Sequence, residues 1–268
     1  MKPASARQAI RYEAGQWTHV ERQIPEETPL AITCNGQAFA AVLATPADLE
    51  DLAYGFALTE GIVDDPADIS ALSIHAVDEG HEARLTIPSA RADALQDRRR
   101  AFAARTSCSL CGLEHLDALL ASAPIITPNT NQYGPEILLK AIANLPEAQR
   151  LNAQTRAVHA AGWINRTGTL VAVREDIGRH NALDKLIGAL IREGQDISAG
   201  AICLTSRCSV EMVLKSARAG APVIAAASSP TELAVRAAEA AGVTLAAALR
   251  GTGFDVYAHA QRIKGAPH

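Results

Sequence analysis

The sequence predicts an α/β protein: a layered mixed sheet with helices on both faces, joined to a smaller N-terminal α+β unit. Two patterns carry that prediction. Beyond about residue 155, short apolar runs alternate with amphipathic segments, as strands alternate with crossover helices in a partly parallel sheet. Ahead of them, a hairpin signal and one amphipathic helix form a different kind of unit. The composition agrees with a large buried core: of 268 residues 48% are hydrophobic, and only 4% are aromatic. Alanine fills much of the apolar share, which suits closely packed helices. The expected division is residues 1–112 for the N-terminal unit, ending in a mobile loop, and 113–268 for the α/β domain.

Residues 30–33 and 38–44 read as strands joined at Asn35-Gly36, a strong hairpin signal. Thr45-Pro46 then reads as a helix cap with proline at the first helical position. Leu49, Leu52, Ala53, Phe56 and Ala57 follow at helical spacing and give one buried stripe, which Gly61 ends. Residues 88–112 are polar, arginine-rich and weakly periodic, a surface excursion with two cysteines at its tip. Leu113, Leu116, Leu119 and Leu120 suggest a short helix after it, and Thr127-Pro128-Asn129 opens the next connection. Residues 169–173 read as a strand, and Leu183, Leu186, Ile187, Leu190 and Ile191 mark a helix stopped by Gly194. Residues 201–205 read as a strand, and Val210, Val213, Leu214 and Ala217 as a helix stopped by Gly220. After a strand over 222–227, Ser229-Pro230-Thr231-Glu232 reads as a capping box opening a helix that runs to Gly242. Residues 243–249 close the series. Ligands of such sheets sit beyond the carboxyl ends of the strands, here 174–181, 206–209, 227–231 and 250–254.

A net charge of −4 gives no pull toward nucleic acid or an anionic membrane. No apolar run reaches the ~18 residues of a transmembrane helix, and the N-terminus lacks the apolar core of a signal peptide. The 5 cysteines are an odd and sparse set, so a reducing cytoplasm is the expected setting.

Cys108 and Cys111 stand in a lone Cys-x-x-Cys, preceded by Arg98, Arg99, Arg100 and Arg105. Nearby cations favour the thiolate, the nucleophilic form. The residues alone leave open incidental loop thiols, a structural zinc site, a thioredoxin-type redox pair, and sulfur relay or thiol exchange. Zinc needs four ligands. Cys203 and Cys208 would have to supply two, and Cys203 lies in an apolar strand better suited to a small core residue. The polar approach to Cys108 does not match a thioredoxin-type pair, and Cys34 reads as incidental. The run Arg174-Glu175-Asp176-Ile177-Gly178-Arg179-His180-Asn181 lies at a strand-to-helix junction, with Asp184 and Lys185 one turn on. It reads either as a capped helix start with a solvated charged face or as a polar ligand site whose exposed N–H groups suit phosphate. His159 reads as a core histidine. Arg250-Gly251-Thr252-Gly253 reads as a turn or as a backbone-rich phosphate cradle.

At these residues the chain resembles the formate dehydrogenase accessory sulfurtransferases, the FdhD family. The most specific match is REDIGRHNALDKLIG at 174–188. Others are ATPADLEDLAYGFALTEGI at 44–62, TSCSLCG at 106–112, SVEMVLKSARAGAPVIAAASSPTELA at 209–234, and the tail over 250–257. The resemblance implies a cytidine-deaminase-like fold and a cytoplasmic sulfurtransferase. A cysteine desulfurase would hand sulfur to Cys108 as a persulfide, with Cys111 as its partner. The implied acceptor is the molybdenum or tungsten of a bis(molybdopterin guanine dinucleotide) cofactor, bound before its delivery to formate dehydrogenase, the client. No intrinsic metal is implied. Ala248, Leu249, Arg250, Gly251, Thr252 and Gly253 fall on the stretch that the family assigns to cofactor binding. Gly178, Arg179, His180 and Asn181 are expected to add contacts to its phosphates and guanine. A homodimer presenting two pockets is expected. The alternative is a non-catalytic chaperone for the cofactor, with the cysteines as contacts or redox sensors. The chain departs from the family's usual pattern at Ala248 (an aromatic), Gly253 (an arginine), Arg156-Ala157 (paired glycines) and Ser206 (a glycine). Zinc deaminase chemistry is disfavoured, because His159-Ala160-Ala161 lacks the glutamate and 206–208 lacks the Pro-Cys-x-x-Cys.

Overall fold

The computed structural model describes residues 2–95, 124–126 and 131–267. Cys108, Cys111, Arg98, Arg99, Arg100, Arg105, the helix expected over 113–120 and Thr127-Pro128-Asn129 lie outside the described residues.

The chain opens on a hairpin absent from the sequence reading. β1 (Ala4–Glu13) and β2 (Gln16–Pro25) pair antiparallel along their whole length. Both strands are exposed almost throughout, so no apolar alternation betrays them. β3 (Thr28–Cys34) and β4 (Gln37–Ala44) form the expected hairpin. Its turn residues Asn35 and Gly36 take φ of 49° and 78°, the left-handed pair that matches strand twist. β5 (Ala71–Val77) and β6 (Gly80–Thr86) complete a four-stranded sheet in the order β4-β3-β6-β5. α1 (Leu49–Thr59) lays the predicted stripe on it: Leu49, Leu52, Ala53, Phe56 and Ala57 pack with Leu30, Ile32 and Leu85. The start of this helix corrects the sequence reading. Its N-cap is Asp48, at φ 53° and with no side-chain capping bond, rather than Thr45. Thr45 is held elsewhere, by a buried ion pair described below.

The second sheet is six-stranded, in the order β12-β11-β10-β9-β7-β8. It is built from β7 (His159–Ile164), β8 (Leu170–Asp176), β9 (Ala201–Leu204), β10 (Val223–Ala226), β11 (Thr244–Arg250) and β12 (Gly253–Ala258). β9, β10 and β11 are parallel; β7 runs antiparallel to both β8 and β9, and β12 antiparallel to β11. Hence β8 to β11 point one way and bring their carboxyl ends to one edge, where β7 and β12 begin. α2 (Pro135–Ala148) covers one face, with α3 (Arg150–Thr155) following it. α4 (Arg179–Arg192), α5 (Val210–Arg218) and α6 (Glu232–Ala241) cover the other. Alternate strand residues serve the two faces: Ile202, Leu204, Ile224 and Ala226 meet α4 to α6, while Ala201, Cys203, Val223 and Ala225 meet α2. The predicted mixed α/β sheet with helices on both faces is what forms. Leu183, Leu186, Ile187 and Leu190 of α4 are fully buried, each contributing about 1.5–3 kcal/mol.

Two details differ from the sequence reading. α6 is capped by Thr231, whose Oγ1 accepts from the Ala234 N–H at 3.3 Å. Ser229-Pro230 lies before the helix because Pro230 bridges to Cys208 as a short extension of the sheet. β12 also makes Arg250-Gly251-Thr252-Gly253 the tip of a hairpin rather than the end of the strand series.

α1 and α4 join the two sheets at unusually close range. A Cβ on Gly55 would stand 1.8 Å from the Asp184 carbonyl oxygen, and one on Gly188 would stand 1.8 Å from that of Asp51. Only glycine lets these backbones approach so closely.

Candidate functional site at the carboxyl edge of the sheet

The run 174–188 passes from β8 into α4, and the fold engages most of its polar groups. Arg174 Nε donates to Asp51 Oδ2 at 2.8 Å, tying β8 to α1. The Glu175 carboxylate accepts from the Leu151 and Asn152 N–H groups, both at 2.8 Å, and so caps α3. Asp176 and Lys185 form an ion pair at 2.7 Å with both side chains 0% exposed. Asp176 also accepts from the N–H groups of Thr45 and Gly178 and from Asn181 Nδ2, at 2.8–3.0 Å. Lys185 also donates to the carbonyls of Thr45 and Glu175. This network is what draws Thr45 away from capping α1. One turn on, Asp184 accepts from Lys215 at 2.8 Å and from Thr59 at 2.7 Å, and Lys215 reaches Glu60 at 2.7 Å. Burial opposes the Lys215 charge, but Asp184 and Glu60 outweigh it and hold its pKa above the ordinary lysine value. These groups are therefore neither a solvated cap nor free ligand contacts. They bind α1, α4, α5 and the β8 end into one body.

Among the ten positions expected to bind cofactor, the structure separates interior from edge. Asn181 has both amide hydrogens engaged, by Asp176 and by the Leu43 carbonyl at 2.7 Å. Leu249 is buried in the core under α2. Gly178 is the N-cap of α4, and its N–H donates to Asp176. His180 Nε2 lies 2.9 Å from Glu211 Oε2, linking the starts of α4 and α5. Ala248 occupies the left-handed region at φ 56° within a bulge between β11 and β12, its N–H donating to the Ser228 carbonyl at 3.3 Å. Arg250, Gly251, Thr252 and Gly253 are exposed, and a Cβ on either glycine would meet nothing within 4 Å.

Arg179 stands out at this edge. Its Nε is buried without a hydrogen-bond partner among the described residues. Neither α4 nor α5 has a side chain capping its start, so their first N–H groups and the positive ends of their dipoles face the same edge. His159, read from sequence as a core residue, opens β7 here instead. Burial lowers its pKa below the ordinary histidine value; Arg179 and His180 push the same way, and Asp176 opposes. Its imidazole is thus neutral at neutral pH and can accept a hydrogen bond or a proton. No spacing in the sequence places His159 beside Arg179; the reversed direction of β7 does. An unpartnered guanidinium, uncapped helix starts and a neutral imidazole suit a polar, anionic ligand.

The remaining cysteines are unsuited to chemistry at sulfur. Cys34, Cys203 and Cys208 are free and buried, and burial pushes their thiols up to about 11, 12 and 12. Cys203 and Cys208 face opposite sides of the sheet, so they cannot join one zinc site. No group of three or more His, Cys, Asp or Glu among the described residues could hold a metal ion. No helix among them is long and apolar enough to cross a membrane.

Fold and edge together define an α/β protein with an anion-suited edge at the carboxyl ends of its parallel strands. The chain belongs to the FdhD/NarQ family, which it matches over residues 25–264, from the end of the β1–β2 hairpin onward. It is 44% identical over 243 residues to a protein of Agrobacterium fabrum named sulfur carrier protein FdhD, covering 91% of this chain and 90% of the relative. The Cupriavidus necator protein of the same name is 45% identical over 254 residues, covering 95% and 88%. That of Xanthomonas campestris is 42% identical over 264 residues, covering 98% and 94%. A crystal structure from Desulfotalea psychrophila, described as a formate dehydrogenase accessory protein, shares the fold with a TM-score of 0.75 at 24% identity, covering 98% of this chain.

Proposed function

We propose that this protein is a sulfur carrier that works through a persulfide on Cys108 in the maturation of formate dehydrogenase. The observation that carries the proposal is identity of 42–45% to proteins named sulfur carriers, over most of both chains. The cysteines support the choice of residue. Three of five are buried with raised pKa values, which leaves Cys108 and Cys111 beside an arginine-rich approach. The Cys108 thiolate attacks the terminal sulfur of a cysteine desulfurase persulfide. A new S–S bond forms on Cys108, the donor S–S bond breaks, and the donor cysteine leaves as a thiolate. Cys111 stabilises the persulfide, or resolves it to a disulfide with release of sulfide.

The acceptor is substrate: the molybdenum or tungsten of a bis(molybdopterin guanine dinucleotide) cofactor. What supports phosphate binding at the edge is that, among the described residues, Arg179 Nε lacks a partner and α4 and α5 start without a side-chain cap. Arg179, the first backbone N–H groups of α4 and the hairpin from Ala248 to Gly253 would hold it, with His159 neutral alongside. Two copies of the chain would present two such edges in a homodimer, and the cytoplasm is the setting in which the thiols stay reduced.

The test is intact-mass measurement after incubation with a cysteine desulfurase and cysteine. A gain of roughly 32 Da, removed by reductant and absent from Cys108→Ala, is expected. Full labelling of Cys108→Ala would sink the assignment.

A further inference from the structure

His159, the first residue of β7, lies directly across the ladder from Asp176, the last residue of β8. Its imidazole is half-buried and makes no hydrogen bond among the described residues. Burial is the main cause of its lowered pKa; Arg179 adds to it, Asp176 opposes, and His180 lowers it further.

A proton arriving on this ring finds no free carboxylate. Asp176 Oδ2 is held by Lys185 and the Thr45 N–H, and its Oδ1 by the Gly178 N–H and Asn181. Glu175 is taken up by the start of α3, and Glu211 by His180. The other charged groups at this end of the sheet are cations. Arg179 and His180 belong to α4, and Arg156 and Arg207 are exposed on the segments leading into β7 and out of β9. β9 brings only the uncharged Thr205 to β7, and α2 covers this part of the sheet with Leu138, Ala141 and Leu145. A protonated His159 therefore has cations for neighbours and no counter-ion of its own. An incoming anion supplies the missing charge.

We propose that His159 is a proton-linked positioning residue of this edge: its imidazole takes up a proton as an anionic ligand settles beside Arg179 and releases it as the ligand leaves. The inference rests on the reading of the edge as an anion site and deepens it. A negative charge brought close to imidazole favours its charged form. The liganded protein then binds the proton more readily than the free protein, so by linkage the proton also tightens the ligand's hold. The sign is fixed. Affinity rises as pH falls through the ligand-raised pKa of His159 and levels off below its depressed value in the free protein. On the alkaline side, Arg179 and the backbone hold the ligand without help, and release is favoured.

The test is titration calorimetry of the full-length protein with diguanosine diphosphate, whose diphosphate diester stays fully ionised across the range used. Runs in buffers of different ionisation enthalpy read the linked protons. The wild type should take up as much as about one proton and bind about tenfold more tightly at pH ~6 than at pH ~8. His159→Gln keeps a neutral hydrogen-bonding side chain. It should bind within about threefold of wild type at pH ~8 and lose both the uptake and the tightening. His180→Gln should retain both. In the wild type itself, the His159 imidazole resonance should titrate at higher pH with the probe than without it. Binding without linked uptake, uptake that survives His159→Gln, or an unmoved His159 titration overturns the proposal and leaves the edge an anion site. No binding at either pH overturns it together with the reading of the edge, while the persulfide on Cys108 stands or falls separately by mass.

Discussion

Lys185 is a long cation with no exposed surface, held against Asp176 inside a closed set of hydrogen bonds. Removing one partner of such a pair leaves an uncompensated buried charge. Lys185→Met should cost about 3–5 kcal/mol, read as a lower urea midpoint at unchanged m-value. Arg156 shows the opposite case. It ends α3 at φ 56°, exposed and in the left-handed region, a position where glycine carries no Cβ penalty. Arg156→Gly should raise stability by about 0.5–1 kcal/mol after the entropy of the unfolded glycine is set against the relief. His159 makes a pH prediction. Its folded pKa is depressed, so the unfolded chain binds the proton more readily. Its contribution to stability is present above the unfolded value of about 6.5 and is lost as pH falls through the lower folded value. His159→Gln should flatten the stability profile below pH ~6.5, measured by urea denaturation at several pH values. For the thiols, Cys34, Cys203 and Cys208 should resist alkylation in the native protein and react on unfolding, because burial keeps them protonated. Rapid native labelling of Cys203, followed by mass spectrometry, would contradict this.

At the scale of elements, the contact between α1 and α4 decides how the two sheets sit together. It combines a glycine-to-backbone approach at Gly55 and Gly188 with ion pairs from Asp51 to Arg174 and Arg192. Gly188→Ala places a methyl against the Asp51 carbonyl and must push the helices apart. The expected loss is about 3 kcal/mol or more, measured by chemical denaturation. Helices α1, α4, α5 and α6 were legible in the sequence, since apolar spacing reports which face is buried, whereas α2 and α3 had no counterpart in the sequence reading. The starts of the legible helices were less so. Thr45 and Ser229 look like caps by residue type, but Thr45 answers to Asp176 and Lys185, and the helix after Ser229 waits for Thr231. β1 and β2 gave no signal because a strand exposed on both faces has no reason to alternate. β7 and β12 were hidden differently: β7 is short and nearly all apolar, and β12 follows what looked like a closing turn.

For the whole molecule, charged networks cross between the sheets at Asp51–Arg174 and at Thr59–Asp184–Lys215. Strong coupling of this kind predicts one cooperative transition. In a Trp17→Phe variant, unfolding followed by Trp163 fluorescence and by far-ultraviolet circular dichroism should coincide. Two separated transitions would show that the four-stranded and six-stranded units unfold apart. The same coupling changes the meaning of the motif at 174–188. Its conspicuous charges hold the body together, and the groups it leaves at the edge are Arg179 and His180. The candidate site was therefore only partly visible in advance: its place at the carboxyl edge followed from the strand–helix alternation, but its composition did not.

What the sequence determined by itself is what short-range chemistry determines. Apolar spacing set α1, α4, α5 and α6, Asn35-Gly36 set one hairpin, and the alternation of runs set the mixed sheet and the edge that carries the candidate site. The tertiary structure decided which polar groups are interior and which are free. Asp176 is completed by Thr45, at the far end of β4, and His159 reaches the edge only because β7 runs backward. Periodicity reports burial along one element. The partner of a buried charge depends on which elements meet, and that is settled only when the chain closes on itself.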